Sequence, residues 1–179
     1  MRFRVRIWIL LGVVPFAAVR NADAFENQWH LGGGLGAAWF DRATSPAPMT
    51  AVHGAYGMSD EFDARGEVLL SAPHSERGNT ALLSSLLLGV TYKLDVIQWI
   101  PWAGLAASVH HLGGQLRQPG ASSMQAGGSL LLGLDYAWSR SLGAGVEVNL
   151  SAFPFEPGHS ASSPIYTTAL IRFEHRWGW

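Results

Sequence analysis

From Ile165 to Trp179 apolar and polar residues alternate with a period of two, and no other regularity in the chain limits its folding options so tightly. Trp179, Trp177, His175, Phe173, Ile171, Ala169, Thr167 and Ile165 fall on one side. Gly178, Arg176, Glu174, Arg172, Leu170, Thr168 and Tyr166 fall on the other. A β-strand sends successive side chains to opposite faces of its sheet, so one face is largely apolar and the other carries Arg172, Glu174 and Arg176. Such a strand suits a sheet whose apolar face meets lipid. His175 alone interrupts the apolar row, close to its aromatic end.

The same alternation recurs in seven further segments. Gln28 to Phe40 sets Trp29, Leu31, Gly33, Leu35, Ala37 and Trp39 against Gln28, His30 and small residues. At ~3.3 Å per residue and a tilt near ~40°, the run between its two tryptophans covers roughly 25 Å, the height of an apolar belt in a membrane barrel. Met49 to Met58 is the weakest, with Val52, Tyr56 and Met58 on one side. Phe62 to Ser71 places Asp63, Arg65 and Glu67 on its polar side, opposite Phe62, Ala64, Gly66, Val68 and Leu70. Leu82 to Leu94 and Trp99 to His111 follow, the latter with Pro101 near its start, where a strand tolerates proline. Gln125 to Trp138 and Leu142 to Ala152 come before the final segment and contribute Asp135 and Glu147 to the polar side.

This dispersal reconciles a chain that is 48% hydrophobic and 14% charged with the lack of a second long apolar run. The first apolar run, Ile7 to Val19, is short of the ~20 residues of a helical span. It follows Arg2, Arg4 and Arg6 and precedes the small pair Ala22 and Ala24, the pattern of a secretory signal. Cleavage is expected before Phe25, so that residues 1–24 are a signal peptide and residues 25–179 a single domain. A formal net charge of -1 carries no basic patch for nucleic acid, and a chain without cysteine has neither disulfides nor a lipid-bearing thiol.

Short connections at Ser59 to Glu61, Asp95 to Gln98 and Ser139 to Ser141 alternate with longer ones at Asp41 to Pro48, Ala72 to Asn79, Leu112 to Met124 and Pro154 to Pro164. Outer-membrane barrels have short periplasmic turns and longer outside loops, and an even strand number keeps both termini in the periplasm. With that orientation Trp29, Tyr56, Phe62, Tyr92, Trp99, Tyr136, Trp138, Trp177 and Trp179 gather at the periplasmic strand ends, and Trp39, Phe40, Phe153 and Phe155 at the outer ends. Strand count, turn asymmetry, aromatic end and inward charges together resemble the small eight-stranded bacterial outer-membrane β-barrels of the OmpA and OmpX type, over about Asn27 to Trp179.

The resemblance implies an all-β, eight-stranded antiparallel up-and-down barrel in the outer membrane of a Gram-negative envelope. It also implies contact with membrane lipid and lipopolysaccharide, and assembly by the barrel assembly machinery through the last strand, as a monomer. An eight-stranded interior is just wide enough to be filled by side chains. Asp63, Arg65, Glu67, Lys93, Asp135, Glu147, Arg172, Glu174 and Arg176 are therefore expected to pair inside as a charged plug. The expected role is non-enzymatic, structural or mediated by the outside loops, with no cofactor and no metal, since no zinc-ligand spacing is present.

Three alternatives accompany this reading. Some small barrels modify lipid A at the outer rim, and His110, His111, His159 and Ser160 would be the residues for such chemistry, provided a serine, a histidine and an orienting group converge. A soluble periplasmic barrel binding a small ligand would reverse the faces, with apolar rows inward around a cavity. A narrow pore is disfavoured by the crowded lumen. The glycines at 32, 33, 34 and 36 do not make a phosphate loop, because strand alternation runs through them where a helix would be required.

Overall fold

The structure, a computed structural model, describes residues 26–40, 45–74, 80–94, 98–113, 123–155 and 165–178. Eight strands follow one another: β1 (Trp29–Phe40), β2 (Ala47–Gly57), β3 (Phe62–Ser71), β4 (Leu83–Lys93), β5 (Trp99–Leu112), β6 (Met124–Ala137), β7 (Leu142–Phe155) and β8 (Ile165–Trp177). Each pairs antiparallel with the next, and β1 pairs with β8 from Trp29↔Trp177 to Phe40↔Tyr166, closing the sheet into a barrel. Closure removes the edges that would otherwise leave backbone donors and acceptors unpaired in an apolar medium.

The period-two alternation sets the two surfaces. Leu35, Leu105, Val52, Ile171 and Phe173 stand outside with more than half of their surface exposed, while Asp63, Arg65, Glu67, Asp135, Glu147 and Arg172 point inward and are buried. The hydrophobicity of the soluble-barrel alternative is thus reversed, with charges inside and apolar rows outside. The described residues form no helix long and apolar enough to cross a membrane.

Strand ends depart from the sequence expectation by a few residues. β2 begins at Ala47 and includes Pro48 opposite Ala37. Pro48 is the second residue of its strand, where proline is tolerated. β7 runs on to Phe155 because a register irregularity between Ala126 and Gly128 of β6 absorbs extra residues. β8 stops at Trp177, and Gly178 takes a positive φ of 99° that ends the extended conformation.

Two of the short turns share one design. In Met58–Phe62 the Ser59 hydroxyl accepts from the N–H of Glu61 (3.3 Å) and of Phe62 (3.1 Å), and Met58 N–H donates to the Phe62 carbonyl at 2.8 Å. In Trp138–Leu142 the Ser139 hydroxyl accepts from Ser141 (3.3 Å) and Leu142 (3.0 Å), and Trp138 N–H donates to the Leu142 carbonyl at 3.1 Å. A serine that satisfies backbone donors in this way stabilises a tight reversal without glycine.

Candidate functional site

The lumen is built in two strata. At the short-turn end, β3 contributes Asp63, Arg65 and Glu67, β4 Lys93, β6 Asp135, β7 Glu147, and β8 Arg172, Glu174 and Arg176, all of them buried. These side chains meet because their strands place them at neighbouring heights, with Gly133↔Glu147 and Gly145↔Arg172 as cross-strand partners. Glu147 Oε2 accepts from Arg65 Nη2 at 2.5 Å and from Arg172 Nη1 at 2.9 Å. Arg172 Nη2 also donates to Asp135 Oδ2 at 3.0 Å and to Glu174 Oε2 at 2.7 Å. Arg176 Nε donates to Glu174 Oε1 at 2.6 Å, Arg65 lies 3.4 Å from Glu67, and Lys93 pairs with Asp63.

Two contacts in this stratum escaped the sequence reading. The guanidinium carbons of Arg65 and Arg172 lie 4.7 and 4.8 Å from the ring centroid of Trp102, so an indole joins the two cations that Glu147 bridges. His30 Nδ1 and His53 Nε2 approach the oxygens of Glu174 at 3.6 and 3.5 Å. Both histidines occupy inward positions in the alternation, which was the signal available for them. Among the described residues no group of histidine and carboxylate side chains is arranged to hold a metal ion.

Toward the long-loop end the described lumen residues lose the charges and combine apolar side chains with neutral polar ones, a change the sequence reading did not anticipate. Met49, Leu69, Leu83, Leu87, Leu112, Leu131, Tyr166 and Leu170 form a buried cluster there, reaching down to Trp102. Some of the polar side chains there are hydrogen-bonded, with Tyr166 Oη donating to Met49 Sδ at 3.2 Å and the Ser129 and Ser151 hydroxyls meeting at 2.7 Å. Both side-chain amide atoms of Asn149 and the hydroxyls of Ser108 and Thr168 are buried without a hydrogen-bond partner among the described residues. Placing charge in one stratum and hydrocarbon in the other lets both fill a narrow interior without burying a charge among methyl groups.

The residues proposed for rim chemistry separate. His110 and His111 are consecutive on β5 and therefore point to opposite sides, His110 fully buried in the lumen and His111 exposed outside. His110 Nδ1 lies 2.7 Å from Ser85 Oγ, and its ring packs edge-on against Tyr166 with centroids 5.9 Å apart. That serine and histidine pair sits beneath Leu83 and Leu112, inside the apolar stratum rather than at a rim open to lipid. His159 and Ser160 lie outside the described residues.

On the outer wall the aromatic residues at the short-turn end pair across strands. Trp29 meets Tyr56 at 4.8 Å, Phe62 meets Tyr92 at 5.1 Å, and Trp99 meets Tyr136 at 4.9 Å, each pair directly opposed in its ladder. Tyr56 Oη donates to Asn27 Oδ1 at 2.9 Å and Tyr136 Oη to Gln98 Oε1 at 3.2 Å, so the phenol groups point toward the turns while their rings cover the apolar wall. Trp138 lies 6.1 Å from Phe173, and Trp177 stacks on His175 at 5.6 Å. Trp39 is exposed at the opposite end of the wall, near the long-loop end of β1, and Trp179 lies outside the described residues.

Solved structures share this fold over most of the chain. Neisserial surface protein A superposes with a TM-score of 0.64 at 9% identity, covering 84% of this chain and 96% of its own. The outer membrane protein OprG of Pseudomonas aeruginosa gives 0.57 at 11% identity, covering 87% and 98%. The attachment invasion locus protein Ail of Yersinia pestis gives 0.56 at 8% identity, covering 86% and 100%. No protein-family model matches the sequence, and no curated protein does. At these identities the likeness is one of fold: the chain has the eight-stranded barrel architecture of small outer-membrane proteins.

Proposed function

We propose that this protein is a monomeric, non-enzymatic barrel of the bacterial outer membrane, its lumen closed by the charged and apolar strata and its role carried by the outside loops and the lipid-facing wall. The observation that carries the proposal is the direction of the alternation. Leucine, valine and isoleucine rows cover the outside, and the carboxylates and cations are buried within. In water such a surface would be far larger than the few hundred Å2 of contiguous apolar patch that a soluble monomer tolerates. In a bilayer it is the required one, because arginine at the lipid midplane costs ~2–4 kcal/mol.

In the accompanying orientation the short turns face the periplasm and the long connections face outside. Residues 1–24 serve as the export signal, and the last strand is the segment offered to the assembly machinery. Lipopolysaccharide meets the outer end of the wall, near Trp39. Closure of the lumen is supported by Glu147 bridging Arg65 and Arg172, and by Leu69, Leu83, Leu87, Leu112 and Leu131 filling the outer half. The second reading, lipid A chemistry, has one observation in its favour, the 2.7 Å contact of Ser85 with His110. Its burial in the lumen disfavours access by a lipid from the rim.

Refolding of residues 25–179 in detergent tests the proposal. The expected result is an unboiled band that migrates faster than the boiled one, with a β circular dichroism spectrum only when detergent is present. A folded β protein in plain buffer would overturn it.

A further inference from the structure

Two further features of the outer wall lie in successive rows where β8 meets β1. The first is a groove of about 620 Å3, with a floor at Gly33, Gly34 and Ala51 and walls of Leu35, Ile171 and Phe173. It exists because β1 has no side chain at 33, while its ladder partners Val52 and Phe173 stand on either side. Phe173 does not fold over the gap, since its ring is engaged with Trp138 on the far side of β8, at 6.1 Å. The lining is almost wholly apolar, with the outward Thr50 as its polar member.

The second feature is His175, an exposed imidazole in an otherwise apolar row. It shares that row of β8 with Phe173 and Ile171, and it stacks on Trp177 with the planes 20° apart. Its ladder partners are Leu31 and Leu142, and Leu142 is the first residue after the Trp138–Ser141 turn. His175 therefore sits one row inside the short-turn end of the barrel, a height that the membrane placement proposed above assigns to the interface, where ester and phosphate groups lie. The groove begins one row deeper and extends toward the membrane centre. The four steps from His175 to Ile171 cover ~13 Å of strand and, at a tilt near ~40°, about 10 Å of membrane normal, most of the half-height of a ~25 Å apolar belt.

We propose that β8, β1 and β2 form a binding site for one glycerophospholipid of the periplasmic leaflet, with an acyl chain in the groove and the phosphate or ester oxygens hydrogen-bonded by His175. An imidazole donates from one ring nitrogen in either neutral tautomer, so the contact needs no particular protonation state. Trp177 covers the ring from the water side, as aromatic residues do at membrane interfaces. The chain is a hydrocarbon occupant because the groove opens onto the lipid-facing belt. It belongs to a phospholipid because the polar group next to it lies at the short-turn, periplasmic end, where that leaflet is made of phospholipid.

The inference rests on the membrane placement proposed above, and one experiment separates the two. The full barrel is refolded in dodecyl maltoside, mixed with palmitoyl-oleoyl phosphatidylethanolamine and, separately, with lipid A, and the retained lipid is counted by native mass spectrometry. The expected result is a single phosphatidylethanolamine retained, with retention falling about tenfold in both His175→Leu and Gly33→Leu and unchanged in Leu105→Ala on the remote strand β5. His175→Leu adds an apolar residue to the lipid face and keeps the fold, which the gel shift verifies independently, so it decides the matter if Gly33→Leu misfolds. Retention unaltered by His175→Leu, a preference for lipid A, or no retained lipid on a correctly folded barrel would overturn the site. Solubility without detergent would instead overturn the membrane placement beneath it.

Discussion

Trp102 on β5 lies opposite Gly133 on β6, and its indole occupies the space that a side chain at 133 would need. The missing side chain lets the ring lie against the barrel wall, where it meets the guanidinium groups of Arg65 and Arg172. A Cβ at 133 would collide with the ring and push it into that pair of cations. Gly133→Ala is expected to cost ~1–3 kcal/mol through overpacking, measured by urea unfolding of the micelle-bound barrel. In a Trp102→Leu background the same change should be nearly neutral. An equal cost in both backgrounds would show that the indole is not what constrains position 133.

Glu147 holds two cations with one oxygen, at 2.5 and 2.9 Å. Its loss leaves Arg65 and Arg172 beside one another without that bridge, and removing one partner from a buried ion network costs ~3–5 kcal/mol. Glu147→Ala should lower the unfolding free energy by that amount, and Glu174→Ala should also destabilise. Joint replacement of Glu147 and Arg65 by methionine should recover much of the loss. Unchanged stability in both alanine variants would remove the charged plug as a structural element.

Leu105 is 71% exposed near the middle of β5, whereas Met124 begins β6 at the long-loop end. Arginine at the midplane costs ~2–4 kcal/mol and near the interface ~0–1. Leu105→Arg is therefore expected to destabilise the barrel in lipid vesicles by several-fold more than Met124→Arg. Equal effects would place Leu105 away from the membrane centre.

Ser59 and Ser139 each accept two backbone N–H groups in separate turns. Alanine at either position should cost ~0.5–1.5 kcal/mol, with additive effects because the turns share no partners. Urea unfolding of the two single variants and the double variant checks both the size and the additivity.

Lipid A incubated with the folded barrel should be recovered with its acyl chains unchanged by mass spectrometry. A change in acylation that disappears in Ser85→Ala and His110→Ala would instead assign chemistry to the buried pair.

The inside and outside of the barrel were readable from the chain alone, because a strand's side-chain period is two and each residue's face follows from counting. Asp63, Arg65 and Glu67 point inward and Leu105 and Ile171 outward for that reason. The same count placed His110 and His111 on opposite faces, yet nearness in sequence made them look like one cluster. Turn positions were legible too, through short polar interruptions such as Ser59 to Glu61.

Which inward residues meet was decided by closure and register, quantities that no single strand contains. Arg65 and Glu147 come from β3 and β7, separated by 82 positions, and touch only because β1 joins β8 and turns the sheet on itself. The same closure stacks leucines from β3, β4, β5 and β6 into one apolar stratum above the charges. Alternation determined, strand by strand, which side chains enter the lumen. The height at which each one sits, and so which partner it finds, arose from hydrogen-bond register around the ring, since a strand shifted by two residues keeps its faces and changes every neighbour.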